Sequence, residues 1–169
     1  MKLELIAFTQ RGSDLAQRLA DTLSGRGHQA ACTRDGLKAE AWAERAFSRS
    51  DGLIFVGATG IAVRSIAPHL RHKCTDPAVV VVDECGQFVI PILSGHLGGA
   101  NDLAREIATL IGAVPGITPA TDVNGVFAVD QWARRQGLMV CNPEQILSVS
   151  SRLLAGERVG FFSDWPIDG

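Results

Sequence analysis

The fold is decided by residues 78–90, which read AVVVVDECGQFVI. Two runs rich in β-branched residues flank a short polar stretch that contains one glycine, Gly86, and this pattern is typical of a β-hairpin. The two strands of a hairpin run antiparallel. A sheet that holds them together with parallel strands is therefore mixed.

The chain before this hairpin alternates between strand-like and helix-like segments. Short, mostly apolar runs predict three strands, at residues 3–8, 28–33 and 51–56. Apolar residues at helical spacing predict helices between them, from Leu15 to Leu23 and over residues 37–47. Such alternation predicts parallel strands joined by right-handed helical crossovers. We therefore expect an α/β fold with three layers, α/β/α, and a mostly parallel sheet that the hairpin makes mixed.

The composition excludes several classes of protein. With 46% hydrophobic and 20% charged residues among 169, the chain is expected to be globular rather than disordered. It has no apolar run that would span a bilayer and no signal-peptide pattern, so we expect a cytoplasmic protein without a membrane partner. A formal net charge of -2 argues against a nucleic-acid partner. The 4 cysteines are scattered, which argues against a zinc ribbon or a disulfide framework.

The last part of the chain differs in character from the rest. We expect an N-terminal α/β domain over residues 1–126, and over residues 127–169 the truncated start of a second, middle α/β region. In that region Asn142 and Pro143 have the pattern of a helix start. Residues 158–162 predict a strand with little sequence after it to cover it.

A glycine-rich turn is the strongest candidate for a functional site. Residues 94–101 read SGHLGGAN and join the strand-like run 88–93 to a helical pattern over 100–111. Glycines let the backbone approach a ligand closely, and N–H groups at a helix start attract anions. Histidine titrates near neutral pH, which suits His96 to proton transfer. The alternative is a plain turn with a histidine that only makes hydrogen bonds.

Three polar loops follow strand-like runs, at residues 57–60, 94–101 and 118–122. Ligands of open α/β sheets bind at the carboxyl ends of the strands, so we expect these loops to line one cleft. The candidate binding residues in the loops are Gly57, Thr59, Gly60, Ser94, Gly95, Gly98, Gly99, Asn101 and Thr121. Asp122 and Asp83 are candidates to orient His96 or to act as a base, although Asp83 equally fits a turn residue of the hairpin.

A basic segment lies in the loop before the hairpin. Its residues predict recognition of a polyanionic small molecule, and they are Arg64, His69, Arg71, His72 and Lys73. A solvated charged loop is the alternative interpretation. His69, His72, Cys74 and Asp76 are of metal-ligand types but fit no standard zinc pattern, so we predict no metal site.

Four runs, taken together in order, resemble one known family. They are residues 57–68, GATGIAVRSIAP; residues 73–86, KCTDPAVVVVDECG; residues 94–101, SGHLGGAN; and residues 120–123, ATDV. This set resembles the CbiG family of cobalamin-biosynthesis proteins. The likeness is strong over residues 50–125 and weaker on either side.

The resemblance implies an enzyme of the anaerobic corrin pathway to vitamin B12. The implied reaction is a hydrolysis that opens the ring A lactone of cobalt-precorrin-5A and releases acetaldehyde, giving cobalt-precorrin-5B. The substrate is then a cobalt-bearing tetrapyrrole with many carboxylates, which Arg64 and Lys73 are suited to bind. Because the substrate carries the cobalt, the resemblance implies no cofactor of the protein itself.

The turn supplies the groups that such a hydrolysis needs. In this hypothesis His96 transfers protons. The N–H groups of Gly98 and Gly99 and the side chains of Ser94 and Asn101 hold a carboxylate or an oxyanion.

Two other functions stay open at this point. One is a non-catalytic corrinoid-binding module that needs a C-terminal part or a partner for activity. The other, by analogy of fold alone, is a flavodoxin-like binder of a nucleotide or flavin at residues 9–13. Candidate protein partners are a C-terminal domain, other enzymes of the pathway and a second copy of the chain in a homodimer.

Overall fold

Short apolar runs form one six-stranded sheet in the order β2-β1-β3-β4-β5-β6. The strands are β1 (Lys2–Ala7), β2 (Gln29–Cys32), β3 (Gly52–Val56), β4 (Ala78–Val82), β5 (Phe88–Leu93) and β6 (Val114–Pro115). The first four strands are parallel, whereas β5 runs antiparallel to β4 and parallel to β6. The mixed sheet and its hairpin, which the sequence predicts, are confirmed.

Helices cover both faces of this sheet. They are α1 (Gln10–Gly25), α2 (Ala39–Phe47), α3 (Thr59–Ile66) and α4 (Ala100–Ile111). Trp42 of α2 and Ile66 of α3 pack in one cluster on one face, whereas Leu15 of α1 and Ile111 of α4 line one groove on the other. The predicted three-layer α/β/α architecture is therefore confirmed, and every residue of β3 and β4 is buried between the layers.

The computed structural model describes residues 1–33 and 36–164. The chain divides into two units, Met1–Gly116 and Ile117–Gly169, and the described part of the first contains the six-stranded sheet and helices α1 to α4. The expected boundary between residues 126 and 127 stays a prediction. Within the described ranges no helix is long and apolar enough to cross a membrane, and a cytoplasmic location also stays a prediction.

The second unit is built from short helices in its described part. They are α5 (Ala120–Val123), α6 (Val129–Arg135) and α7 (Ile146–Leu154), with a 3-10 turn at Pro143–Gln145 that starts where the sequence predicts. The prediction of a strand over residues 158–162 is wrong, because the described part of this unit contains no strand with which they would pair. The prediction of a polar loop over residues 118–122 is also wrong in part, because α5 begins directly after Pro119.

Asp83 fixes the point at which the chain reverses between β4 and β5. Its carboxylate accepts hydrogen bonds from the backbone N–H groups of Cys85, Gln87 and Phe88, at 3.0, 2.7 and 2.6 Å. Gly86 takes a φ of +69° in this turn, a conformation that glycine adopts without a steric penalty. The hairpin is therefore closed by one side chain and one glycine.

Trp42 is the centre of the core between the sheet and α2. Its side chain is fully buried, and its ring packs edge-to-face on Phe55 with the ring centroids 5.0 Å apart. The indole N–H donates to the Thr33 hydroxyl at 2.9 Å. The ring is thus packed and its polar atom is satisfied, as a buried tryptophan requires.

Replacing Trp42 by alanine should lower the free energy of unfolding by about 3–5 kcal/mol, because a fully buried ring is lost from a packed core. Urea denaturation followed by circular dichroism measures this loss. Val63→Ala on α3 is the control, since Val63 is 49% exposed and its truncation should cost less than about 1 kcal/mol. Equal losses in the two variants would contradict the central place of Trp42.

Candidate functional site

The glycine turn, residues 94–99, lies at the amino edge of the parallel strands. Because β5 is antiparallel to β4, Leu93 at its end pairs with Val79 near the start of β4. β3 ends instead beside Val82, at the far end of β4. The turn at residues 57–60 and the glycine turn are therefore on opposite edges, about 17 Å apart along the strand direction. The expectation that these two loops line one cleft is wrong.

Close contacts within the glycine turn require its glycines. A Cβ atom on Gly98 would collide with the Cβ of Ser94, and one on Gly95 would lie 2.8 Å from Oδ1 of Asn101. Gly99 takes a φ of +85° at the N-cap of α4. Ser94 takes a φ of +55°, the one positive value at a non-glycine residue in the described ranges. Such a conformation is unfavourable for serine and must be held by its neighbours.

Hydrogen bonds inside the turn use some of its backbone donors. Three N–H groups donate back to carbonyl oxygens of the turn: Gly99 to His96 at 3.1 Å, Ala100 to Ser94 at 3.1 Å and Asn101 to Gly95 at 3.0 Å. Three others donate to no acceptor within the part of the chain that the structure describes, those of Gly95, Leu97 and Gly98. Donors for an anion therefore lie in the turn itself rather than at the first residues of α4.

The side chains of the turn differ in what they offer to a ligand. His96 is half-buried, whereas Asn101 is 1% exposed and packs beneath Gly95. The Ser94 hydroxyl donates its proton to the carbonyl oxygen of Asp76 at 2.9 Å. Asn101 and Ser94 support the turn, and their roles in holding a ligand oxygen stay predictions. Gly99, expected to be a donor, is satisfied within it.

The turn at residues 57–60 forms a separate group at the carboxyl edge. α3 begins at Thr59. The Arg64 guanidinium lies near Gly60, where an added Cβ atom would be 3.7 Å from its Nη1 atom. A Cβ on Gly57 would lie 2.9 Å from the ring of Phe8, so a glycine is needed where this turn approaches the loop after β1. These predicted binding residues do not meet His96.

Asp83 also lies at the carboxyl edge, with its carboxylate taken up by the hairpin turn. The length of β4 separates it from the glycine turn. It does not orient His96, and the alternative interpretation as a turn residue describes its contacts. Thr121 and Asp122 belong to α5 of the second unit, where Thr121 is buried and Asp122 is half-buried. Their binding and catalytic roles stay predictions.

Arg71, His72 and Lys73 of the basic segment lie in a closed turn, residues 71–76, called here the basic turn, whereas Arg64 lies on α3. The Asp76 carboxylate accepts the backbone N–H of Arg71 at 3.0 and 3.2 Å. The N–H groups of Thr75 and Asp76 both donate to the His72 carbonyl oxygen at 2.9 Å. The side chains of Arg71, His72 and Lys73 are exposed. In the described ranges no group of three or more histidine, cysteine, aspartate or glutamate residues is placed to hold a metal ion.

Two features of the amino edge of the sheet are not predicted from the sequence. One is the Leu97 N–H as a donor, because nothing in a leucine side chain points to its backbone. The other is Asp76, which the sequence suggests only as a type of metal ligand. An aspartate placed between a basic run and Pro77, just before a strand, is the signal that identifies such a turn-closing residue.

The alternative flavin or nucleotide site at residues 9–13 has an unfavourable charge. A crevice of about 280 Å³ does lie there, at the carboxyl end of β1. The Thr9 hydroxyl accepts the N–H of Gly12 at 3.0 Å and donates to the Glu84 carboxylate at 2.8 Å. The Glu84 carboxylate thus lies beside the start of α1, where a phosphate group would have to bind, and its negative charge repels a phosphate.

Comparison with known proteins shows what this chain is similar to. Residues 41–122 match the family model described as Cobalamin synthesis G N-terminal. The chain is 41% identical over 173 residues to the cobalt-precorrin-5A hydrolase of Salmonella typhimurium, a match that covers 96% of this chain and 48% of that protein. It is 44% identical over 113 residues to the cobalt-precorrin-5A hydrolase of Priestia megaterium, covering 67% of this chain and 30% of that protein. The chain thus spans half or less of the length of these curated relatives.

A solved structure shares the fold. It is described as a cobalamin biosynthesis protein G homolog from Sulfolobus solfataricus, with a TM-score of 0.61 and 24% identity. The similarity covers 98% of this chain and 51% of the other. The resemblance that four sequence runs indicate is confirmed by the family match and the relatives. Residues 41–122 are the part of the chain that is similar to the cobalamin synthesis G N-terminal family.

Proposed function

We propose that this chain acts as a hydrolase of the cobalamin pathway, which opens the ring A lactone of cobalt-precorrin-5A and releases acetaldehyde to give cobalt-precorrin-5B. The names of the relatives support the substrate. The observation that carries the proposal is the glycine turn. There, three N–H groups without an acceptor in the described ranges lie within two residues of the half-buried His96.

The carboxylate arms of a corrinoid are the ligand chemistry that fits this edge of the sheet. Backbone N–H groups that point into one turn bind carboxylate or oxyanion oxygens. The exposed side chains of Arg71 and Lys73 add positive charge in the adjacent basic turn. The Asp76 carboxylate is buried and is hydrogen-bonded to the Arg71 N–H, so it does not contact a ligand at the surface of the basic turn.

The proposed chemistry uses His96 twice. In the first step a water attacks the lactone carbonyl, His96 accepts a proton from it, and the N–H groups of Leu97 and Gly98 stabilise the oxyanion. The ester C–O bond then breaks, and the imidazolium returns its proton to the leaving alkoxide. In the second step the neutral imidazole removes the proton of that hydroxyl. The C–C bond breaks, acetaldehyde leaves, and the electron pair passes to the macrocycle, which takes up a proton.

A corrinoid-binding module without catalytic activity is the second candidate function. It is favoured by the fact that the chain spans 48% of the Salmonella relative. Groups that complete catalysis in that relative can therefore lie outside the matched part. In this case the glycine turn and the basic turn would hold the substrate and supply no proton transfer.

His96→Asn should reduce acetaldehyde release from cobalt-precorrin-5A by at least about 100-fold, because the proton-transfer group is lost. Trapping the aldehyde as a hydrazone measures the rate. His28→Asn is the matched control, since His28 lies outside the glycine turn and contacts Glu106 at 3.2 Å; its rate should be unchanged. A normal rate in His96→Asn would contradict the catalytic role. Substrate binding by the unsubstituted chain without acetaldehyde would favour the binding module.

The unsubstituted chain should bind cobyrinic acid, a cobalt corrin with free carboxylates, at least about tenfold more tightly than cobinamide, whose arms are amides. Spectrophotometric titration of the two corrins measures both affinities. Because the extra attraction is electrostatic, the difference should shrink as salt rises from about 0.05 M to about 0.5 M. Equal affinity for the two corrins at low salt would contradict carboxylate recognition.

A further inference from the structure

Asp76 connects the basic turn to the glycine turn. Its carboxylate accepts the Arg71 N–H, and its N–H donates to the His72 carbonyl oxygen, both within the basic turn. Its own carbonyl oxygen accepts the hydroxyl of Ser94 from the glycine turn. The residue is 7% exposed, and every polar group that it has is engaged. One residue is thus bonded to both parts of the edge.

Ser94 is the other end of this connection, and its conformation needs support. Its φ of +55° is unfavourable for serine. Two hydrogen bonds hold it, from its hydroxyl to Asp76 and from the Ala100 N–H to its carbonyl oxygen. Gly98 packs directly on the Ser94 side chain. The place of the Gly98 N–H therefore depends on Ser94 and, through Ser94, on Asp76.

Pro77 makes the connection stiff. A residue before proline is confined to extended backbone, so Asp76 cannot turn away from Ser94 by a change of its own dihedral angles alone. Ala78, which follows, is anchored by its N–H to the carbonyl oxygen of Asp51 at 3.0 Å. The basic turn is therefore fixed at the sheet on one side and at the glycine turn on the other.

We propose that Asp76 is a positioning residue that holds the basic turn and the glycine turn together as one carboxylate-binding surface. This inference rests on the proposed function, because the ligand is the same polycarboxylate corrin. Asp76 does not touch that ligand. It fixes the distance between the backbone donors near His96 and the cations of Arg71 and Lys73, so that one molecule engages both.

An electrostatic role and a positioning role of Asp76 predict opposite effects of its loss on carboxylate binding. Removing an acid beside Arg71 and Lys73 makes the basic turn more positive, so a purely electrostatic contribution would tighten carboxylate binding in Asp76→Ala. A positioning contribution weakens it, because the Arg71 N–H loses its acceptor and the turn loosens. Asp76→Asn separates the two effects, since the asparagine oxygen still accepts that N–H while the charge is gone.

The experiment is a titration of cobyrinic acid into the unsubstituted chain and its variants. Asp76→Ala should weaken binding by about five- to tenfold, and Asp76→Asn should stay within about twofold of the unsubstituted chain. Asp14→Ala, which removes an exposed acid from α1, is the control for the change of charge and should have no effect. Lys73→Met should cost less in the Asp76→Ala background than alone, because a loosened basic turn no longer presents Lys73.

Two measurements keep the inference separate from the proposed function. In the free chain, Asp76→Ala should shift the amide NMR signals of residues 94–99, because a loosened basic turn displaces the Asp76 carbonyl oxygen that accepts the Ser94 hydroxyl. Unchanged signals would overturn the coupling of the two turns through the Asp76 carboxylate. Binding by Asp76→Ala as tight as that of the unsubstituted chain, or tighter, would overturn the positioning role alone. No binding of cobyrinic acid by the unsubstituted chain would overturn the proposed ligand and this role with it. That outcome is recognised because all variants then behave alike.

Discussion

The reversal of chain direction between β4 and β5 is the constraint on which the candidate site depends. One carboxylate, that of Asp83, gathers three backbone N–H groups and closes the hairpin. If β5 ran parallel to β4, the glycine turn would end at the carboxyl edge, beside residues 57–60. Because β5 is reversed, the turn comes out where β3 and β4 begin, and Asp76 becomes its neighbour. A single turn thus decides which loops share an edge.

The sequence predicts the strands and helices of this fold better than it predicts which loops lie next to each other. A run of four valines predicts a strand and a regular leucine spacing predicts a helix, because both patterns are local in the sequence. Which edge a loop occupies depends on pairing across the sheet, and a rule for parallel strands misplaces the loop after a strand that runs the other way. Residues 158–162 show the same limit: their composition suits a strand, but Phe162 is 88% exposed and the described part of its unit offers no strand to pair with.

Some features of the candidate site can also be predicted from the sequence, whereas others depend on the fold. His96 and the glycines around it stand out in the sequence because few structural roles call for that combination. Which N–H groups are available depends on the carbonyl oxygens within reach, and Gly99 is satisfied for that reason. Asn101 has the right chemistry but is buried by the turn that it supports. The resemblance supplies the reaction, whereas only the fold shows which groups share an edge with His96.

The distribution of charge differs between the two edges of the sheet. The chain as a whole carries a formal charge of -2, so a polyanion gains nothing from total charge, and screening over about 8 Å leaves only local groups to act. At the carboxyl edge Glu84 lies beside the start of α1 and cancels its attraction for anions. At the amino edge Asp76 is buried while Arg71 and Lys73 are exposed. At the edge where the reversed strand ends, the backbone donors of the glycine turn therefore lie next to the exposed cations of the basic turn, which is the arrangement that the proposed function requires.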